Sequence, residues 1–194
     1  IESLDVCQTN DSTKKYTIIC DQVLISGGWS PIVNLVSHRG IKPIWNDDNL
    51  CFIPGEIKEN ITVVGSARGI WNLNDCKNSG IAGANETLNK LGIHKKEITF
   101  PKVGGWVNPI EPLFEVKSKK FPSKSFVDFQ HDVTVDDVRL AHREGFISVE
   151  HLKRYTTLGM ANDQGKMGNI IGLSLMAELL EKTIPAVSYT HLRA

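Results

Sequence analysis

A chain of 194 residues fits one ordinary domain or two small ones, and its 41% hydrophobic and 23% charged side chains are the mix of a soluble globular protein. Its 22 basic and 22 acidic side chains cancel, so no long-range field gathers nucleic acid or anionic lipid. No apolar run of about 18 residues crosses a bilayer and the start, IESLDVCQTNDS, lacks the regions of a secretory leader, so the expected address is the cytoplasm, with no membrane partner.

From Ile1 to about Gly92 the pattern is short β runs broken by Gly and Pro, then one long helix. Tyr16 to Cys20 and Val23 to Ile25 read as strands, the second ending at a sharp turn on Gly27 and Gly28. Ser30 before Pro31 reads as an N-cap with proline at the first helical position, opening a short helix through Val36. Ile61 to Val64 is a further buried-type strand. The helix from about Leu73 to Leu91 places Leu73, Cys76, Gly80, Ala84, Leu88 and Leu91 at helical spacing, with Gly80 and Gly83 permitting close approach to a sheet. Cys7, Cys20, Cys51 and Cys76 lie far apart with no C-x-x-C pair, the pattern of reduced packing thiols. Sequons at Asn10, Asn60 and Asn85 matter only in a secreted chain and are discounted.

Residues 93–124, rich in proline and carrying Lys117, Lys119, Lys120 and Lys124, read as an extended solvated connector. From Phe126 onward the chain turns helical. Thr134 with Asp137 resembles a capping box before Val138, Leu140 and Ala141, and Gly145 closes that helix. Ser148 caps the next, which presents Val149, Leu152 and Tyr155 before Gly159; a third runs from about Met167 to Glu181 with Ile171, Leu175 and Leu179 on one face. The first two helices have the look of a DNA-reading pair, but acidic side chains outnumber basic ones here, which disfavours that role. His131, His142 and His151 have no ligands at metal spacing and read as solvated or packing histidines.

One stretch has the layout of a nucleotide site. Val63 to Asp75, VVGSARGIWNLND, is a strand, a glycine turn and a helix start, whose free N–H groups and partial positive charge suit a pyrophosphate. By itself that layout is more often a packing device than a binding site. Ser26 to Pro31 is a second glycine turn, with Trp29 placed to cover a ring or the core. The G-x-G-x-x-G that normally opens a dinucleotide fold occurs nowhere.

Taken together, CDQVLISGGWSP, FIPGE and VVGSARGIWNLNDCKNSGIAGA resemble the closing part of the nucleotide-binding domain in the alpha subunit of heterotetrameric sarcosine oxidase. FVDFQHDVTVDDVRLAHREGFISVEHLKRYTTLGMANDQGKMGNIIGL resembles the domain that follows it in that subunit. The resemblance implies an α/β fold: the C-terminal part of a disulfide-reductase-like FAD/NAD(P)-binding domain over residues 1–92, a linker over 93–124, and a small all-helical [2Fe–2S]-type domain without its ligands over 125–185. Residues 186–194 are set apart as a non-native tail, a cloning or assembly scar.

On that likeness Gly65, Ser66, Ala67, Trp71 and Leu73 line NAD in the intact subunit, beside a structural turn at Gly27 and Gly28. The piece then starts after the half that makes the main pyrophosphate contact, so it is expected to bind dinucleotide poorly and to be inactive alone. The helical part is similar to bacterioferritin-associated-ferredoxin-like domains, and the family's cysteine positions fall on Asp128, Gln130, Asp163 and Gly168, so no iron–sulfur cluster is expected. Its implied work is assembly with a flavin-bearing beta subunit, through Lys153, Arg154, Tyr155 and Thr157, beside smaller gamma and delta subunits. FAD, FMN and folate belong to parts of the complex outside this stretch. The reaction implied is oxidative demethylation of sarcosine to glycine. The alternatives are the alpha subunit of a related proline, opine or glycine dehydrogenase, or a non-enzymatic interaction module.

Overall fold

The computed structural model describes residues 1–8, 11–26, 28–57, 60–93, 98, 100–104, 110–116 and 124–187, with no side-chain description for residues 12 and 13. The readings that fell on Asn10, Gly27, Lys117, Lys119, Lys120 and residues 188–194 lie outside the described residues.

The chain opens with a hairpin. Strand β1 (Ser3–Gln8) pairs antiparallel with β2 (Asp11–Ile19), Leu4 opposite Ile18 and Val6 opposite Tyr16, so these four share one face. The strand expected at Tyr16 is the second half of β2; β1 was not anticipated. Val23 to Ile25 is not a strand. Leu24 and Ile25 are 88% and 79% exposed, and no strand among the described residues lies beside them.

Helix α1 (Asn34–Ser37) is one turn long and begins after Val33, with no side-chain cap, instead of at Ser30. Pro31 is buried, and it lies 3.7 Å from where a β-carbon on Gly69 would stand. Tertiary packing thus holds Pro31 against a distant turn, and the β-branched Ile32 and Val33 gain little from extending the helix back to it. A second short hairpin follows, β3 (Ile44–Asn46) with β4 (Cys51–Ile53). Val64 is extended, but Ile61 to Val64 pairs with no strand among the described residues. It lies instead against helix α2 (Leu73–Lys90) at Gly83, where a β-carbon would come 2.7 Å from Val64 Cγ1 and 3.0 Å from Thr62 Cγ2. Gly83 is therefore the close-approach glycine; Gly80 faces open space.

The connector is tied down at two points. Asn74 Nδ2 donates to the Val103 carbonyl (2.5 Å) and Val103 N–H donates back to Asn74 Oδ1 (3.0 Å), so one carboxamide pairs with the chain as a strand would. Farther on, Arg139 Nη2 donates to both Glu115 oxygens at 3.0 and 2.7 Å, a charge-assisted contact that holds residue 115 on the helical part.

The helical part begins with a two-stranded element that the periodicity had hidden, β5 (Phe126–Asp128) with β6 (Val133–Thr134). Helices α3 (Val135–Arg143), α4 (Val149–Thr156), α5 (Asn169–Leu179) and α6 (Ile184–Val187) follow. The capping box is present. Thr134 N–H and hydroxyl both donate to Asp137 Oδ2 (2.8 and 2.7 Å), and Asp137 N–H donates back to the hydroxyl (3.3 Å). Ser148 stands at the N-cap of α4 but makes no capping bond, and α4 ends at Thr157 in the left-handed region (φ 63°), two residues before Gly159. Tyr155, expected on the buried face, is 46% exposed.

Val138, Leu152, Leu158 and Met176 are the centre of the core, each no more than 1% exposed. Burying each such side chain is worth about 1.5–3 kcal/mol. Phe52 of β4 belongs to the same apolar cluster, with Trp45 of β3 packed against it, so the second hairpin is buried on the helical core. Among the described residues, six strands in three antiparallel pairs and six α-helices make a mixed α and β arrangement with no parallel ladder.

Thr134 holds Asp137 as a carboxylate: its hydroxyl and then its backbone N–H keep that carboxyl below the ordinary range. A depressed folded value stabilises the fold above the unfolded value, near 4, and that contribution is lost as pH falls through the folded value. Thr134→Ala is expected to cost about 1 kcal/mol at pH 7 and to flatten the decline in stability below pH 4, as read by urea unfolding across the acid range.

Candidate functional site

The glycine turn is a 3-10 segment, Gly65–Arg68, closed by Gly69 in the left-handed region at φ 84°. Gly65, at φ 62°, stands in the same region, which glycine enters at least cost. Ser66 and Leu73 are exposed, while Gly65, Ala67 and Trp71 are half-buried. Three of the five expected contacts thus lie in the turn, Trp71 lies between the turn and α2, and Leu73 is the first residue of α2.

The free amides expected at the start of α2 are not free. Asn72 Oδ1 accepts from Asn74 N–H (2.9 Å) and Asp75 N–H (3.4 Å), and Gly65 N–H donates to Ser79 Oγ (3.3 Å). The helix caps itself because asparagine at the N-cap reaches its own first-turn amides. A pyrophosphate would have to displace that side chain, so the start of α2 is not an open phosphate cradle. A groove of about 530 Å³ opens beside this helix start, lined by Asn72, Asn74, Asp75, Lys77, Phe100 and Lys102. None of the five expected residues lines it. Lys77 there donates to the Pro101 carbonyl at 3.0 Å and stands 5.6 Å from the centre of the Phe100 ring.

Asp128, Gln130, Asp163 and Gly168 lie on two loops that the fold brings face to face. Asp128 Oδ1 accepts from Gln130 N–H (2.9 Å) and His131 N–H (3.2 Å), and Oδ2 reaches across to Gly159 N–H (3.3 Å). Gln130 Oε1 accepts from Asn162 N–H at 3.1 Å, and Asp163 binds the amides of Gly165 and Met167 at 3.3 and 3.1 Å. His131 Nδ1 meets the Thr157 carbonyl at 3.1 Å. Oxygen acceptors therefore hold these loops in shape.

These residues do not fit an iron–sulfur cluster. Two carboxylates, one carboxamide and a glycine supply no thiolate, and the carboxylates are already engaged by backbone. The fourth position is also closed, since a β-carbon on Gly168 would come 2.8 Å from the Val127 carbonyl oxygen and 3.2 Å from Leu158 Cδ1. No group of His, Cys, Asp and Glu side chains among the described residues converges on a metal site.

Lys153, Arg154 and Tyr155 follow one another on α4, and Thr157 is its left-handed C-cap. Lys153 is half-buried and the other three are exposed. The Tyr155 ring meets Phe146 at a tilt of 37° with ring centres 4.8 Å apart, which fixes its direction. Sequence reasoning passed over Asn49, whose Nδ2 donates to the Gly69 carbonyl at 3.0 Å; an asparagine between two three-residue strands carries no signal of a partner twenty positions on. All four cysteines are unpaired. Burial pushes the Cys51 thiol up to about 11, so it packs as a neutral group, and Cys76 Sγ lies 2.9 Å from the Ile70 carbonyl. No helix among the described residues is long and apolar enough to cross a membrane.

Residues 122–194 match the family model described as the sarcosine oxidase A3 domain. That span includes residues 186–194, which the sequence reading had set apart. The chain is 36% identical over 180 residues to the sarcosine oxidase subunit alpha of Rhizobium meliloti (strain 1021), covering 91% of the chain and 18% of that protein. It is 31% identical over 180 residues to the sarcosine oxidase subunit alpha of Corynebacterium sp. (strain P-1), covering 90% of the chain and 19% of that protein. The chain thus spans about a fifth of the length of these relatives. The crystal structure of L-proline dehydrogenase from P. horikoshii has a TM-score of 0.65 at 19% identity, over 94% of this chain and 38% of that one, a likeness of fold.

Proposed function

We propose, from the premise that this chain is related over nine-tenths of its length to the alpha subunit of sarcosine oxidase, that it is an internal stretch of such a subunit. The 36% identity across 180 residues carries the reading, because it joins both halves of the chain in one order. The complete enzyme would oxidise the N-methyl group of sarcosine, passing a hydride to a flavin outside this chain; the resulting imine would then be cleaved by water to glycine and formaldehyde. The residues here would serve that reaction from a distance, in the cytoplasm.

Residues 1–92 would be the closing part of the disulfide-reductase-like domain, and 125–185 a cluster-free descendant of a ferredoxin-like one. Gly65, Ser66, Ala67, Trp71 and Leu73 would touch NAD, the exposed Ser66 and Leu73 making the most accessible contacts. NAD would supply a hydride carrier. Lys153, Arg154, Tyr155 and Thr157 would face the flavin-bearing beta subunit, with gamma and delta subunits, FAD, FMN and folate elsewhere in the complex.

The test is made on the full-length subunit together with the subunits that co-purify with it. Sarcosine-dependent oxygen uptake with glycine as product is expected. Turnover of proline, an opine or glycine without turnover of sarcosine would move the protein to the dehydrogenase alternative, and a paramagnetic 2Fe signal after reduction would overturn the cluster-free assignment. Calorimetry of the same material is expected to show NAD binding that Leu73→Asp weakens by about tenfold, or 1.4 kcal/mol; unchanged affinity would remove Leu73 from the site.

A further inference from the structure

The β3–β4 hairpin touches two things at once. On one side, Asn49 in its turn donates through Nδ2 to the Gly69 carbonyl at 3.0 Å, while its own N–H is fixed on Asn46 Oδ1 at 2.8 Å. Gly69 is buried, and a β-carbon there would come 2.8 Å from Ile53 Cγ2, so the glycine turn lies directly on β4. On the other side, Trp45 and Phe52 meet edge to face with ring centres 5.1 Å apart, and Phe52 is 6% exposed within the cluster that holds Val127, Val138, Leu152 and Met176. Cys51, between these contacts, is 2% exposed.

A two-stranded hairpin with three-residue strands has no stability of its own, so its shape is set by what it packs against. Close-packed neighbours pass displacements on without absorbing them. We infer that the β3–β4 hairpin positions the Gly65–Gly69 turn and couples its conformation to the helical core, with Asn49 as the positioning residue. The ligand consequence rests on the dinucleotide reading above; the coupling itself does not.

Hydrogen exchange in the full-length subunit within its complex separates the two. The amides to follow are those of Gly69 and Ile70, which donate to the Ser66 carbonyl at 3.1 Å and the Gly65 carbonyl at 3.3 Å. Phe52→Leu, made at the core end of the hairpin, is expected to speed their exchange by about tenfold, and Asn49→Ala, which leaves the core untouched, to do the same. Thr134→Ala, a destabilising change at the α3 cap outside that apolar cluster, is expected to leave them within about twofold of the parent. Unchanged exchange at Gly69 and Ile70 in Asn49→Ala, or equal acceleration by Thr134→Ala and Phe52→Leu, would overturn the coupling. Added NAD is then expected to slow exchange both at 65–69 and at Leu173–Ala177, with Asn49→Ala keeping the first effect and losing the second. If NAD slows nothing at 65–69 in the parent, the dinucleotide reading fails, while the ligand-free variants still decide the coupling.

Discussion

Asp128→Ala is expected to lower stability by about 3–5 kcal/mol, because the one carboxylate serves three backbone amides and each orphaned donor costs about 1–3 kcal/mol. Asp128 is 8% exposed, so water does not readily replace it. Two of its bonds shape its own loop, and the third, to Gly159, ties that loop to the one opposite. Asp128→Asn keeps an acceptor oxygen and is expected to recover part of the loss. Asp163→Ala removes two bonds from a more exposed carboxylate within a single loop and is expected to cost about 1–2 kcal/mol. Urea unfolding with an unchanged m-value is the measurement; a loss at Asp128 no greater than at Asp163 would show that the bond between the loops contributes nothing.

Leu152→Ala carries the second large expectation, about 2–5 kcal/mol, from lost burial plus the cavity left in a packed core. Leu152 is fully enclosed between α4 and its neighbours. Three residues along the same helix, Tyr155 is 46% exposed and rests on Phe146, so Tyr155→Ala is expected to cost about 1 kcal/mol, the worth of a surface ring pair. Equal losses at the two positions, read from their urea midpoints, would mean that α4 does not present the face the structure gives it. The pair also separates roles: if Tyr155 contacts a partner subunit, its replacement should weaken assembly of the complex far more than it weakens the fold.

Local devices were readable along the chain because they are written in residues close together. Thr134 and Asp137 reach each other within one helical turn, so α3 starts where its capping box places it; the Asn72 cap of α2 is just as local, but the sequence reading expected those first-turn amides to be free. The apolar spacing of α5 served in the same way. Strands were harder. The segments Val23–Ile25 and Ile61–Val64 have the composition of strands, but a strand exists only with a partner, and none stands beside either among the described residues. The short β5 and β6 went unseen for the opposite reason: five residues paired across a tight loop leave no period to detect.

The candidate site divides along the same line. The glycine turn, the left-handed glycines it needs and the absence of thiolates at 128, 130, 163 and 168 follow from residue identity, because a side chain either has a β-carbon or a sulfur or it has not. That Asp128 reaches Gly159, that Gly168 closes on the Val127 carbonyl, and that Asn49 and Phe52 join the glycine turn to the helical core were decided by tertiary structure alone. Those contacts join positions 20 to more than 100 residues apart, and such partners are chosen by the packing of the whole chain; no local propensity encodes the choice.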